Sequence, residues 1–273
     1  MNFLQKRKES GFNMKNMMVA LLTTTLLLVM TACGTSGEEA QAGTSEGEEK
    51  EEISVAVVQD YPPFEYVEDG ELTGFDIQII EAIGEHEGLE VNWEIMRFDA
   101  IIPALQADQV DAAVSAIGIR EDRKEVVDFS DPYFESGLSL VVPTDSEINS
   151  LEDLDGATIV AKQGTSSLEL ANEFAEEYNG EVTIFQEDAM MYMEINSGNA
   201  DAVINDYPSV AYKIVQDGDE SNIRIVGDRL TGEDYGIAIS KDAEGLVEKM
   251  NSGLEYLFES GKYDEIYDQY FAE

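Results

Sequence analysis

From Ile53 onward, short β-rich runs alternate with helical stripes of apolar residues, and this alternation limits the fold more than any other feature of the chain. Ile53–Val58 reads as a strand. Phe75–Glu87 sets Ile79, Ile80 and Ile83 on one helical face and stops at Gly88. Val91–Met96 reads as a strand, Asp99–Ala107 as a helix and Val110–Ala116 as a buried strand. Further on, Gly137–Val142, Thr158–Ala161, Val182–Phe185, Ala202–Asn205, Ile223–Val226 and Tyr235–Ile239 read as strands. Helices are expected at Ser166–Tyr178, near Ala189–Ser197, from Tyr207, along the Leu246–Phe258 stripe and beyond Gly261. Such a series predicts an α/β fold with mainly parallel sheets covered by helices. About 220 residues carrying two such series predict two lobes.

The N-terminus has another character. Lys6, Arg7, Lys8 and Lys15 precede a mostly apolar run, Met17 to Met30, which is shorter than the roughly 20 residues a membrane-spanning helix needs. Thr31 and Ala32 then lead into Cys33, the only cysteine of the chain. The pattern resembles a bacterial lipoprotein signal, cleaved before Cys33, with palmitate-bearing lipid on the sulfur. Met30 stands where that motif usually has Leu or Val. Gly34 to Glu52 is rich in Gly, Ser, Thr, Ala and Glu without periodicity, as expected of a disordered acidic tether. A single cysteine allows no internal disulfide, and with His86 the only histidine a Cys/His metal site is excluded.

Charge narrows the partners. The chain has 16 basic and 58 acidic residues, net −42. Loss of residues 1–32 removes four basic residues and Glu9, leaving 12 against 57, net −45. This acidity argues against nucleic acid and against charge-driven binding to an anionic membrane, and fits a tether held by lipid.

Specific motifs stand along the chain: Pro63-Phe64-Glu65, Gly74-Phe75-Asp76-Ile77, Phe98 to Gln106, Val110 to Ser115, and Val127-Asp128-Phe129-Ser130-Asp131-Pro132-Tyr133-Phe134. Gln163-Gly164-Thr165, Ala200 to Asp206, Tyr235-Gly236-Ile237-Ala238 and Gly261-Lys262-Tyr263-Asp264 follow. Together and in this order they resemble the polar amino-acid-binding proteins of ABC importers, family 3 of the extracellular solute-binding proteins. The resemblance covers nearly all of 53–273.

The resemblance implies a periplasmic-binding-protein-like fold of type II. Residues 53–135 plus 233–273 would form one lobe and 136–232 the other, with a hinge where the chain crosses near Tyr133–Gly137 and Arg229–Asp234. It also implies a ligand set. Arg123 matches the carboxylate clamp, where a planar guanidinium offers two parallel donors. Asp206 matches the ammonium acceptor, and Tyr61 and Phe98 match aromatics that flank the ligand's aliphatic part. Ser115 and the backbone of Ala116 match polar contacts, and Ser166 a hydroxyl at a helix N-terminus. Lys162 and Asn205 fall where glutamine-binding relatives read the side chain.

There are departures. Gly118 stands where relatives usually have Ser or Thr, keeping the backbone N–H but losing the hydroxyl. Arg120 replaces a usual Thr and receives no role. Val58 stands where binders of basic amino acids usually carry Asp, which argues against Lys or Arg as ligand.

For each residue a plainer reading competes: a surface ion pair for Arg123, helix N-caps for Asp206 and Ser166, and core packing for Phe98. The expectation is an extracellular, lipid-anchored, monomeric binding protein without cofactor. It would deliver a polar amino acid, glutamine first, to an ABC permease. Two alternatives share the fold. One is a cyclohexadienyl-dehydratase-like enzyme with Glu65 or Asp60 as acid. The other is the sensor domain of a receptor, which would bring a transmembrane helix not found before Glu273.

Overall fold

A computed structural model describes residues 50–271. The lipoprotein signal, Cys33 and nearly all of the expected tether lie outside the described residues. The first strand, Glu51–Val57, begins two residues before Ile53, so Glu51 and Glu52 belong to the sheet rather than the tether.

Two five-stranded sheets organise the chain. The first runs Leu89–Ile95, Glu51–Val57, Ala112–Ala113, Ala238–Ile239 and Asp128–Phe129 in spatial order. The second runs Glu181–Phe185, Thr158–Lys162, Ala202–Asp206, Leu138–Pro143 and Ile223–Val226. In each, the first three strands are parallel and the remaining two join antiparallel. The expectation of mainly parallel sheets is thus corrected to mixed sheets. Helical crossovers generate the parallel trio of each sheet, while strands arriving from the crossing connections enter from the other end. Those connections pair with each other: Phe134–Ser136 lies antiparallel to Glu233–Tyr235, with Tyr235 opposite Phe134 and Glu233 opposite Ser136.

The motif pair Pro63-Phe64-Glu65 and Gly74-Phe75-Asp76 has a mechanical basis. The helix Phe75–Glu87 has no side-chain cap. Its first N–H groups, from Phe75 and Asp76, donate instead to the Pro63 and Phe64 carbonyls, both at 2.9 Å. The chain must therefore pass very close to Gly74, where a Cβ would lie 2.6 Å from the Phe64 carbonyl carbon. Gly74 also sits at φ 130°, which only glycine adopts readily. A small meander of Asp60–Tyr61, Glu65–Glu68 and Glu71–Thr73 leads into this helix. Its last turn is Asp69-Gly70, both at positive φ, as a two-residue hairpin demands.

Packing follows the helical stripes. Ile79, Ile80 and Ile83 are fully buried against the first sheet, and Met250, Leu254 and Leu257 of the helix Leu246–Ser260 join the same core. Val110 to Ile117 is buried almost throughout, yet only Ala112–Ala113 forms ladder pairs, and beyond them Ala116 turns the chain at φ 46°. Tyr235–Ile239, expected as one strand, divides between the crossing ladder and the first sheet on either side of Gly236. The solitary His86 is exposed and stacks on Tyr256 with ring centroids 3.8 Å apart. Among the described residues no helix is long and apolar enough to cross a membrane, and no group of His, Cys, Asp or Glu is arranged to hold a metal ion.

Candidate functional site

The C-terminal ends of the parallel strands from both sheets converge on one cleft. Its lining includes all ten residues singled out in the sequence: Tyr61, Phe98, Ser115, Ala116, Gly118, Arg123, Lys162, Ser166, Asn205 and Asp206. Val58, Glu65, Thr165, Ser167 and Glu233 complete it. As packed, these side chains leave a cavity of about 20 Å³, room for about one water molecule. A wider, solvent-open groove of about 1260 Å³ lies on the outer side of Glu233, among mostly exposed carboxylates of both lobes.

Arg123 is held by the short helix Glu121–Lys124 and is only 5% exposed. Its Nη1 donates to the Gly118 carbonyl at 2.8 Å and its Nη2 to the Gly164 carbonyl across the cleft at 3.0 Å. Among the described residues no carboxylate forms an ion pair with it. The surface pairing that could have explained Arg123 belongs to Arg120, which bonds Asp122 and the opposite lobe's Glu169. Burial lowers the Arg123 pKa, and the charge of Arg120 acts in the same direction. A buried guanidinium with carbonyl partners alone is a strong anion receptor. Phe98 stands 5.6 Å from it, ring face toward the guanidinium.

Gly118 forms an antiparallel bridge with Tyr235, and the flanking bonds run from Ile119 to Asp234 and from Gly236 to Ile117. In that register the N–H and carbonyl of Gly118 point away from Tyr235, which is how its carbonyl meets Arg123.

Asp206 ends the strand Ala202–Asp206 and precedes the helix Tyr207–Asp217, but its side chain makes no cap. It faces the cleft instead and accepts from the Tyr61 hydroxyl of the other lobe. Burial, reinforced by the Glu233 charge, raises its pKa to about 7. Ser166 is likewise not the cap of its helix. Thr165 fills that role, accepting from the Leu168 N–H at 3.3 Å, and the Ser166 hydroxyl is free to donate to Glu233.

The other end of the cleft is organised by Asp188, which lies in none of the sequence motifs and was not expected there. Asp188 Oδ2 accepts from Lys162 Nζ at 2.6 Å and Oδ1 from Asn205 Nδ2 at 2.9 Å. Tyr192 adds a further contact to Asn205 at 3.3 Å, and Asn205 Oδ1 lies 3.2 Å from the Tyr61 hydroxyl. Burial opposes the Lys162 charge, but Asp188, Asp60 and Glu65 outweigh it and its pKa is raised. The ammonium also sits 5.0 Å from the Tyr61 ring centre. An aspartate at the first position of a helix reads in sequence as ordinary helix chemistry, so only its place behind Lys162 separates it from many others.

Ser115 and Ala116 are already engaged. The Ser115 hydroxyl accepts from the Val58 N–H at 3.2 Å and donates to Glu65 Oε1 at 2.6 Å. The Ala116 N–H donates to Asp76 Oδ2 at 2.8 Å and is therefore already engaged. Glu65 and Asp76 are fully buried beneath the cleft. Burial pushes Glu65 well above the usual carboxylate range, with the Asp76 charge adding to it. Burial likewise lifts Asp76 to about 6, despite its bonds from Ala116 and Tyr133.

Comparison with known proteins agrees with this architecture. Residues 53–273 match the bacterial extracellular solute-binding proteins, family 3. The probable histidine-binding protein of Neisseria gonorrhoeae is 30% identical over 267 residues, covering 95% of this chain and 97% of the relative. The ABC transporter glutamine-binding protein GlnH of Bacillus subtilis strain 168 is 31% identical over 272 residues, covering 93% and 96%. The solved structure of an ancestral arginine-binding protein bound to glutamine superimposes with a TM-score of 0.76 at 37% identity, over 82% of this chain and 99% of that one. The chain belongs to the bacterial extracellular solute-binding proteins of family 3.

Proposed function

We propose that this protein captures a polar amino acid outside the cytoplasmic membrane, glutamine by preference, and hands it to an ABC importer permease. The observation that carries the reading is the pairing of opposite charges across one cleft: the buried Arg123 guanidinium on one lobe and the uncapped Asp206 carboxylate on the other. An α-amino acid supplies the complement of both. Its carboxylate would meet Arg123, the Gly118 N–H and Ser166; its ammonium would meet Asp206 and the Ala116 carbonyl. Tyr61 and Phe98 would flank the aliphatic carbons. The lobes in this reading are 53–135 plus 233–273 and 136–232. A ligand touching both favours the closed arrangement by contacts absent when the lobes part.

Glutamine fits the distal end because both Asp188 oxygens already serve Lys162 and Asn205. Asp188 therefore has no unengaged oxygen to offer a guanidinium or ammonium, and the Lys162 charge repels one. Val58 supports the same choice. An amide, by contrast, can accept from Lys162 and exchange bonds with Asn205. The names of the relatives span histidine, glutamine and arginine and so leave the choice to these residues.

Lipid attachment at Cys33, a monomeric state and the permease partnership complete the proposal. The test is a thermal-shift screen against the proteinogenic amino acids, followed by calorimetry, because a ligand of the folded state raises its stability by mass action. Glutamine should give the largest rise in melting temperature and arginine and lysine little. No rise with any amino acid would overturn the reading, and arginine surpassing glutamine would overturn the ligand choice.

A further inference from the structure

Glu233 belongs to no motif of the sequence, yet it stands at the carboxylate end of the cleft. It opens the crossing strand Glu233–Tyr235 and reaches over the cleft, where Oε1 accepts from the Ser166 hydroxyl of the opposite lobe. It also fills the space above Gly118: a Cβ at residue 118 would lie 2.5 Å from Glu233 Cδ. Gly118, the least expected residue of the site, is therefore the residue that lets this carboxylate in. Glu233 lines the outer, solvent-open groove as well as the cleft, so a displaced carboxylate has water to move into.

We propose that Glu233 is an internal competitor for the carboxylate end of the ligand site and thereby sets its affinity. This rests on the reading of the ligand as an α-amino acid gripped by Arg123. Glu233 takes the Ser166 hydroxyl and the volume beside Gly118 that an arriving α-carboxylate requires. Two carboxylates competing for the same Ser166 hydroxyl would also repel each other. Binding therefore exchanges the Glu233–Ser166 bond for a ligand–Ser166 bond and sends Glu233 outward. A link between a crossing strand and the far lobe also favours lobe closure before ligand arrives, which lowers the population open to entry.

The test is calorimetry with L-glutamine on the full folded protein, comparing wild type with Glu233→Gln, Glu233→Ala and Gly118→Ser. Glu233→Gln keeps the shape and removes the charge, and should bind L-glutamine about tenfold more tightly. Gly118→Ser should also tighten binding by forcing the carboxylate aside, and the double variant should gain less than the product of the two. L-glutaminamide, which lacks the carboxylate, should show no such gain. Unchanged or weaker L-glutamine binding in both Glu233 variants, with melting temperatures near wild type, would overturn the proposal while leaving the amino-acid reading intact. Absence of binding by every proteinogenic amino acid, in wild type and variants alike, would overturn both.

Discussion

The Tyr61 hydroxyl on one lobe donates to Asp206 Oδ2 on the other. This places a neutral donor where the proposed ligand would bring an ammonium. Ligand binding would thus replace a cross-lobe hydrogen bond with a charged one, using the same carboxylate.

A pH dependence follows from that carboxylate. Asp206 has its pKa raised to about 7, by burial first and the Glu233 charge second. An ammonium needs the ionised form, so a growing share of the binding energy goes into removing a proton as pH falls below 7. Glutamine affinity should weaken by up to about tenfold per pH unit there. Calorimetry between pH 5.5 and 8.5 reads the slope, and Asp206→Asn should bind weakly and flatten it.

Arg123 is the second anchor of the proposed site. Arg123→Ala should weaken glutamine binding by roughly 3 kcal/mol, about a hundredfold, because an α-carboxylate would be desolvated without its charged donor. Arg123→Lys should restore only part of this, since an ammonium cannot reproduce two parallel donors. Fluorescence or calorimetric titration of either variant at wild-type affinity would remove Arg123 from the site.

Stability should run opposite to the usual acid-sensitive pattern. Glu65, Asp76 and Asp206 all have folded-state pKa values raised above their ordinary ones. Between about pH 4 and 7 the folded protein therefore holds protons that the unfolded chain releases, and its stability falls as pH rises through that window. The loss should reach a few kcal/mol, because each tenfold gain in a buried group's proton affinity is worth on the order of 1.4 kcal/mol. Urea melts at pH 5 and pH 8 without added amino acid measure it. Asp76→Asn should shrink the difference, and greater stability at pH 8 would contradict the assignment.

Gly74→Ala should destabilise the protein by about 3 kcal/mol or more. The new Cβ would meet the Phe64 carbonyl carbon at 2.6 Å, and φ is 130°. Relief requires moving the Pro63 and Phe64 carbonyls that accept the first N–H groups of the helix Phe75–Glu87. A chemical denaturation midpoint close to wild type would show that this contact relaxes freely.

Much is readable from residue order. Hydrophobic periodicity places Phe75–Glu87 and Ile223–Val226 at their observed limits, because a one-sided apolar stripe and a β-branched run express local preferences that tertiary contacts here reinforce. The motifs single out ten residues that the fold does bring to one cleft. The meander before Phe75 is not legible because its strands are too short to show alternation. The antiparallel half of each sheet is not legible because strand direction is a property of connections, not of side chains. The pattern of three parallel and two antiparallel strands shared by the two sheets leaves no repeat in the sequence, since many different side chains satisfy one pattern.

What tertiary structure alone decided is the state of each functional group. Asp206 and Ser166 both occur at helix starts, and sequence rules favour capping for each. Instead Thr165 caps, Ser166 turns to Glu233 and Asp206 to Tyr61. Asp188 acts through Lys162 and Asn205, 26 and 17 positions away in the chain, and Glu233 through Ser166, 67 positions away. Local sequence chose which residues carry charge. Which charges are paired and which are left without a charged partner was settled by the packing of distant segments around one cleft, because burial and partner distance, not residue type, fix the energy of a charge.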